Sequence, residues 1–396
     1  MNATDRRSDA LRAPFDTDRL AALMEEADID ILLATSKHNV QYLLGGYQFN
    51  FFSTMDALAH SRYLPFVIYE KGRPERTAYI ASRMESAEHQ ARPFWTPRFQ
   101  PVSWGTLDAT GSAIEHLRAT GRSAARVGIE PGFLPMDAYQ MLRDKLEDAS
   151  FVDATAVMER LRAIKSPREL SLLRKASDLI TESMLATIAW AHEGSTKSAI
   201  ARRLATEQTS RGLHFDYCFL AMGSSHALVL SDQKWQPGEV ISLDSGGNYA
   251  GYIGDLCRMG VLGEPDAELV DLLGEVDAIQ RAAISRVRAG CDGREIIATA
   301  ETVRKASKVA GFTDFMAHGM GLVAHEAPFL MTNHPIEYAG VDADRPLEAG
   351  MVVSIETTMK HPRRGLIKLE DTIAVTSRGH EMYGQSGRSW NPGGSR

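Results

Sequence analysis

Short apolar runs alternate with stretches of helical period along roughly the first 160 residues. Ile29 to Ala34 (IDILLA), Leu64 to Tyr69 (LPFVIY), Thr77 to Ile80 and Val127 to Ile129 carry the runs, and Ala109 to Ala119 spaces its apolar positions for one helix face. Such alternation predicts an α/β domain over residues 1–160. Its loops hold no cluster of His, Cys or acid at ligand spacing and no glycine-rich phosphate loop, so chemistry is expected elsewhere.

The pattern changes near Ala163 to Pro167, where Ser166-Pro167-Arg168-Glu169 has the marks of a helix start. Ser166 can accept from an early amide, Pro167 suits the first turn, and Glu169 stands where a reciprocal capping carboxylate belongs. Leu170, Leu173, Ala176, Ile180, Met184 and Ile188 then recur at intervals of three or four, while Arg168, Lys175 and Glu182 fall off that face. Further helices are predicted over Ser198 to Thr209, Asp266 to Arg288 and Gly293 to Val309, and strands over Val240 to Leu243, Met351 to Ile355 and Leu366 to Val375. Residues 161–396 therefore form a second, α+β domain.

Composition narrows the function classes. A chain of 396 residues with 44% hydrophobic and 24% charged residues has the balance of an ordinary globular protein of two domains. A net charge of -7 and the lack of a long Lys/Arg run give no attraction for a phosphate backbone, so nucleic acid is not an expected partner. The segment MNATDRRSDALRAPFD lacks the apolar stretch of a secretory signal, and no window approaches the roughly 20 apolar residues that span a bilayer. A cytoplasmic protein without a membrane partner is expected. Cys218, Cys257 and Cys291 are too few and too irregularly spaced for a disulfide framework or a thiolate zinc site, and are read as reduced, packed thiols.

The candidate chemistry lies in the second domain. Asp244 ends the run EVISLD, and Gly246-Gly247-Asn248 supplies turn residues before Tyr252 and Asp255 on an expected return strand. Glu356 ends MVVSIE, and Glu370 lies on LIKLED, across a loop holding His361-Pro362-Arg363-Arg364-Gly365. Each acid sits in or beside an aliphatic run and is carried inward. Alone, any one of them reads better as a solvated or salt-bridged residue of a sheet. Four buried carboxylates together repel and shift towards protonation unless something neutralises them. Two divalent cations balance four carboxylates, and oxygen ligands with one imidazole suit Mn, Co, Zn or Fe. His318, in AHGMGLVAHE, supplies the imidazole, with flanking glycines that let backbone approach a ligand.

The series Asp244, Asp255 eleven residues on, His318, Glu356 and Glu370 resembles the five-ligand pattern of the pita-bread metallopeptidases: prolidase, aminopeptidase P and methionine aminopeptidase. His226, 18 residues before Asp244, and His325, seven after His318, match that family's two additional active-site histidines. RAIKSPRELSLLRKA resembles the start of its catalytic domain and SKHNVQYLLGGY its amino-terminal domain, so the likeness covers essentially the whole chain. Methionine aminopeptidases generally lack that first domain, which favours the prolidase, aminopeptidase P and creatinase branch. The resemblance implies a pita-bread catalytic domain behind a smaller creatinase-type α/β domain, in a homodimer. It implies a metal pair sharing a bridging water, with Glu356 as general base, His325 at the scissile carbonyl and His226 on the leaving side. Creatinase-like members and scaffold-only binding relatives lack the ligands. Here all five positions hold ligating residues, which argues for a metal-dependent enzyme.

Several positions depart from the family pattern. Lys368 stands two residues before Glu370, where Arg is usual, and could orient a ligand or contact substrate. Around His318, the residues Asp314, Phe315, Ala317, Met320 and Ala324 differ from the proline-peptidase signature. The expected activity is Xaa-Pro dipeptidase or aminopeptidase cleavage of a short peptide. The alternative is hydrolysis of a small non-peptide C–N bond, as in ectoine hydrolase-like or creatinase-like relatives; a metal-dependent lyase of this fold and a catalytically dead interaction protein rank lower. His334 and His361 read as rim or turn residues, with His361 a further substrate-contact candidate. Arg258 is expected either to orient a ligand or to pair with a surface acid, and Tyr47, Phe49, Phe51 and Phe52 either to wall a pocket or to pack as core.

Overall fold

A computed structural model of the chain describes residues 12–51, 60–331 and 340–394. His334, Phe52 and the first eleven residues lie outside the described residues. The chain divides into two compact units, Met1–Arg162 and Ala163–Arg396.

The first unit is built on a six-stranded mixed sheet of β1 (Ile31–Ala34), β2 (Phe66–Glu70), β3 (Ala78–Ser82), β4 (Arg98–Ser103), β5 (Arg126–Ile129) and β6 (Ser150–Asp153), in the order β4-β3-β2-β1-β5-β6. Four of these strands carry the apolar runs read from the sequence. The edge strands β4 and β6 do not, because their half-exposed residues RFQPVS and SFVD have no apolar run to display. Helices Thr106–Ala119 and Met136–Lys145 pack Ala109, Ala113, Leu117 and Leu142 on Ile31, Leu33, Phe66, Ile80 and Val127. Tyr47, Phe49 and Phe51 pack within this unit, on Phe94, on Tyr63 and on Trp104.

The second unit opens with the helix α1 (Pro167–Trp190), capped as its sequence predicts. Ser166 Oγ accepts from the Glu169 amide at 3.3 Å, and Glu169 Oε2 accepts from the Ser166 amide at 2.8 Å. Leu173, Ala176, Ile180, Met184 and Ile188 are buried along one face, and Arg168, Lys175 and Glu182 are exposed. The helix α2 (Lys197–Ser210) follows, then β7 (His214–Met222), β8 (Val240–Tyr249) and β9 (Tyr252–Leu262). After the helices α3 (Ala267–Ile284) and α4 (Gly293–Ala306) come β10 (Thr313–Gly319), β11 (Val352–His361) and β12 (Gly365–Val375). These strands form an antiparallel sheet in the order β10-β11-β12-β9-β8-β7.

Strand alternation gives that sheet two different faces. Ile241, Leu243 and Leu256 pack with Ile180, Met184 and Leu204 of α1 and α2. Phe315, Val353, Ile355 and Ile373 pack with Ile279, Ala283, Ile296 and Ala300 of α3 and α4. The alternate residues, which carry the acids, look the other way. Among the described residues, no helix is long and apolar enough to cross a membrane.

One turn lies elsewhere than expected. Gly246-Gly247-Asn248 is not the hairpin turn but the continuation of β8, which runs to Tyr249. The reversal is made by Ala250 and Gly251, with φ of 51° and 96°, and Gly251 donates its amide to Asn248 Oδ1 at 2.7 Å. The two strand glycines answer a different demand. A Cβ on Gly246 would lie 2.3 Å from the Tyr217 ring, and one on Gly247 would lie 2.5 Å from Gln208 Oε1. Their sequence signal reports close approach of neighbouring side chains rather than a turn.

Candidate metal centre

Register brings the acids together. Glu356 is paired with Glu370 across β11 and β12, Glu370 with Cys257 across β12 and β9, and Cys257 with Asp244 across β9 and β8. Directly paired residues share a face, so Glu356, Glu370 and Asp244 point to one side, with Asp255 two residues from Cys257. On β10, His318 pairs with Ser354 and thus joins the same face. One donor atom each of His318, Glu356 and Glu370 lies within 4.8 Å of the others, as do those of Asp244, Asp255 and Glu370, and those of Asp255, His318 and His325.

The imidazole is presented in a ligating form. His318 Nδ1 donates to the Gly319 carbonyl at 3.2 Å, leaving Nε2 for the acids. Nε2 is 3.7 Å from Glu370 Oε1, within ion-pair reach but too far for a hydrogen bond, and among the described residues it is buried without a hydrogen-bond partner. Gly319 is needed where it stands, since its Cβ would meet the Ala327 and Pro328 backbone at 2.4 Å. That close approach folds the following loop back and stacks the His325 ring on His318 at 3.9 Å. Glu326, next to His325, is fixed by a buried ion pair with Lys165 at 2.9 Å.

Lys368 enters the cluster rather than lining its rim. Its Nζ donates to Asp244 Oδ2 at 2.6 Å, lies 2.9 Å from Glu370 Oε2, and is in contact with Glu356 Oε2. Tyr217 donates its hydroxyl to Asp255 Oδ1, in the space Gly246 leaves open, and Ser354 Oγ donates to Glu370 Oε1 at 2.9 Å.

Even with that ammonium the cluster is short of positive charge. Burial pushes the Asp244 carboxyl up, to about 7; Lys368 opposes the rise, and Glu370 and Glu356 add to it. Burial, Glu370 and Asp244 hold Asp255 well above the carboxylate range. Burial also acts upward on Glu370, but Lys368 and His318 outweigh it and hold this carboxyl low. Burial acts downward on His318, yet the surrounding acids raise it to about 9, while burial and the His318 charge pull His325 down to about 4. Buried oxygen donors around one unpartnered imidazole nitrogen fit a divalent cation of the Mn, Co, Zn or Fe type.

The acids floor a cavity of about 290 Å³ whose walls are Tyr217, Phe219, Leu228, Phe315, Met316 and Leu366. Asp314, Thr358 and Lys360 also line it. His226 and His361 do not: His226 Nε2 donates to the His361 carbonyl at 3.1 Å, and His361 Nδ1 accepts the Arg363 and Arg364 amides in the β11–β12 turn. Among the described residues, Arg258 has no surface acid as partner. It is fully buried on the helix side, where it binds Asp371 and the backbone carbonyls of Cys257, Glu370, Gly384 and Ser386. Sequence reasoning missed Tyr217, Ser354, Glu326 and Lys165. Their partners lie 38, 16 and 161 residues away along the chain, where no local pattern links them.

Residues 171–377 match the family model of metallopeptidase family M24, and residues 17–164 that of the creatinase/prolidase N-terminal domain. The chain is 26% identical over 383 residues to an uncharacterized peptidase, YqhT, of Bacillus subtilis, covering 93% of this chain and 97% of that one. It is 24% identical over 383 residues to an Xaa-Pro dipeptidase of Pyrococcus horikoshii, with the same coverage of 93% and 97%. Among solved structures, an Xaa-Pro dipeptidase from Bacillus anthracis shares the fold with a TM-score of 0.78 at 23% identity, covering 95% of this chain and 98% of that one.

Proposed function

The chain belongs to metallopeptidase family M24, with a creatinase/prolidase amino-terminal domain ahead of the catalytic one, and from that premise we propose that it is a metal-dependent hydrolase of short Xaa-Pro peptides. The observation that carries the metal dependence is the buried Nε2 of His318, which makes no hydrogen bond among the described residues and faces the carboxylates of Glu356 and Glu370. In this reading, His318, Glu356 and Glu370 hold one divalent cation and Asp244, Asp255 and Glu370 form the second group of a pair. When bound, the metal supplies Lewis-acid polarisation of the carbonyl under attack and makes water a competent nucleophile near neutral pH. Manganese is the first candidate, with cobalt, zinc or iron as alternatives.

The side chains then divide the work. Glu356, at the cavity floor, takes the proton of the attacking water and passes it to the leaving proline nitrogen. His325, kept neutral by burial and by its neighbour His318, donates a ring N–H to the carbonyl oxygen as negative charge develops there. His226, held on the His361 carbonyl outside this cavity, is given no step. Tyr217, Phe219 and Leu228 offer an apolar wall to the proline ring, and Lys360 a cation for the peptide carboxylate. A cavity of about 290 Å³ stands at the small end of ligand pockets, about 300–1,000 Å³, which favours a dipeptide over a longer chain. The same proposal includes a cytoplasmic location and a homodimer.

The test is a panel of Xaa-Pro dipeptides and tripeptides, alongside cyclic amides and amidines, offered to protein reconstituted with manganese or cobalt. Metal-stimulated release of proline is expected. Turnover of a cyclic C–N substrate with none of any Xaa-Pro peptide would replace the peptidase assignment with the small-molecule one.

A further inference from the structure

The three N–H donors of the Lys368 ammonium meet three carboxylates, those of Asp244, Glu356 and Glu370. Two of those acids, Asp244 and Glu370, belong to the group that also contains Asp255. A divalent ion in that group would draw on the Asp244 and Glu370 carboxylates, on which Nζ already sits at 2.6 and 2.9 Å. Both occupants are positive, so they exclude each other by charge as well as by volume. The group of His318, Glu356 and Glu370 is different. Lys368 touches two acids in each group, through one oxygen each, but this group adds a nitrogen donor, the His318 Nε2, that makes no hydrogen bond among the described residues. Lys368 is also held in place from behind: its backbone is paired with Thr358 of β11 inside the sheet, and the residue is buried.

We propose that the Lys368 ammonium is a resident cation that takes the place of one metal of the pair, so that the centre binds a single divalent ion per chain, on His318, Glu356 and Glu370. This inference rests on the metallohydrolase reading and changes its stoichiometry. A compact ammonium can do this because its charge is concentrated at one atom of about the reach of a small ion, where a planar guanidinium would spread over several ångströms. The residue that departs from the family pattern is then the one that decides how many metals the site takes.

The experiment is a titration of the metal-free full-length chain with manganese, with free Mn(II) followed by electron paramagnetic resonance and the bound ion examined at low temperature. Wild type is expected to saturate at one manganese per chain, with the hyperfine pattern of an isolated ion. Lys368→Met, which keeps the stem and removes the charge, is expected to take two, with the spectrum of a coupled pair. Two coupled ions in wild type overturn the inference and leave the metallohydrolase reading standing, as does a single ion in Lys368→Met. No binding by either protein overturns the metallohydrolase reading itself. If Lys368→Met fails to fold, Lys368→Gln is titrated in its place and read by the same two outcomes.

Discussion

Glu356→Gln is expected to lower kcat on a Xaa-Pro dipeptide by about 10²–10⁴-fold, the range for loss of a positioned general base. The substitution keeps the size of the side chain and a carbonyl oxygen able to ligate, but it cannot accept the proton of the attacking water. Glu356 lines the cavity floor, and Thr358 and Lys360 follow it on the same strand face, so in the proposed mechanism it would stand beside the substrate as well as beside the metal. The two roles separate by counting metal in the same preparation. If the variant keeps its ion and loses turnover, the residue acts on the proton. A variant that retains both full metal and full turnover would remove Glu356 from the mechanism.

Asp371→Asn is expected to cost about 3–5 kcal/mol of stability, the cost of breaking a buried pair by removing one partner. Asp371 is the residue after Glu370 and, by strand alternation, faces the opposite side of the sheet. There it is fully buried and accepts from Arg258 at 2.9 Å and from Gln280 at 2.5 Å, with Arg388 also in contact. Neutralising it leaves two guanidinium groups with too little negative charge in an interior that cannot hydrate them. For a unit of this size the melting temperature should fall by roughly 10 °C, at about 2–4 °C per kcal/mol. Arg258 also donates to the Glu370 carbonyl, so a drop in manganese affinity should accompany the lost stability, although Asp371 itself faces away from the metal. An unchanged melting curve would show that the network contributes nothing.

Much of the centre was legible because its acids interrupt aliphatic strands. Asp244, Asp255, Glu356 and Glu370 stand out against runs such as EVISLD and LIKLED, His318 stands out in AHGMGLVAHE, and the family spacing added His325. What a period of two cannot report is which strands become neighbours. The pairing of β9 with β12 joins Cys257 to Glu370, and it is this pairing that closes the cluster. The position of Lys368 follows from the same pairing, so its residue type marked it as unusual without revealing that its ammonium enters the acid cluster. The glycines of β8 misled for a related reason. Gly246 and Gly247 have the look of a turn, but what fixes them is Tyr217 on β7 and Gln208 on α2, neighbours in space that the local sequence does not announce. The capped start of α1 was readable in full, since Ser166, Pro167 and Glu169 act on one another within a single turn.

The most direct test of the account is anomalous diffraction at the manganese edge from crystals of the full chain grown with that ion. A peak within bonding distance of His318 Nε2 and of the Glu356 and Glu370 carboxylates is the predicted result. A map without that peak, in which His318 and the acids satisfy one another by direct hydrogen bonds, would contradict it.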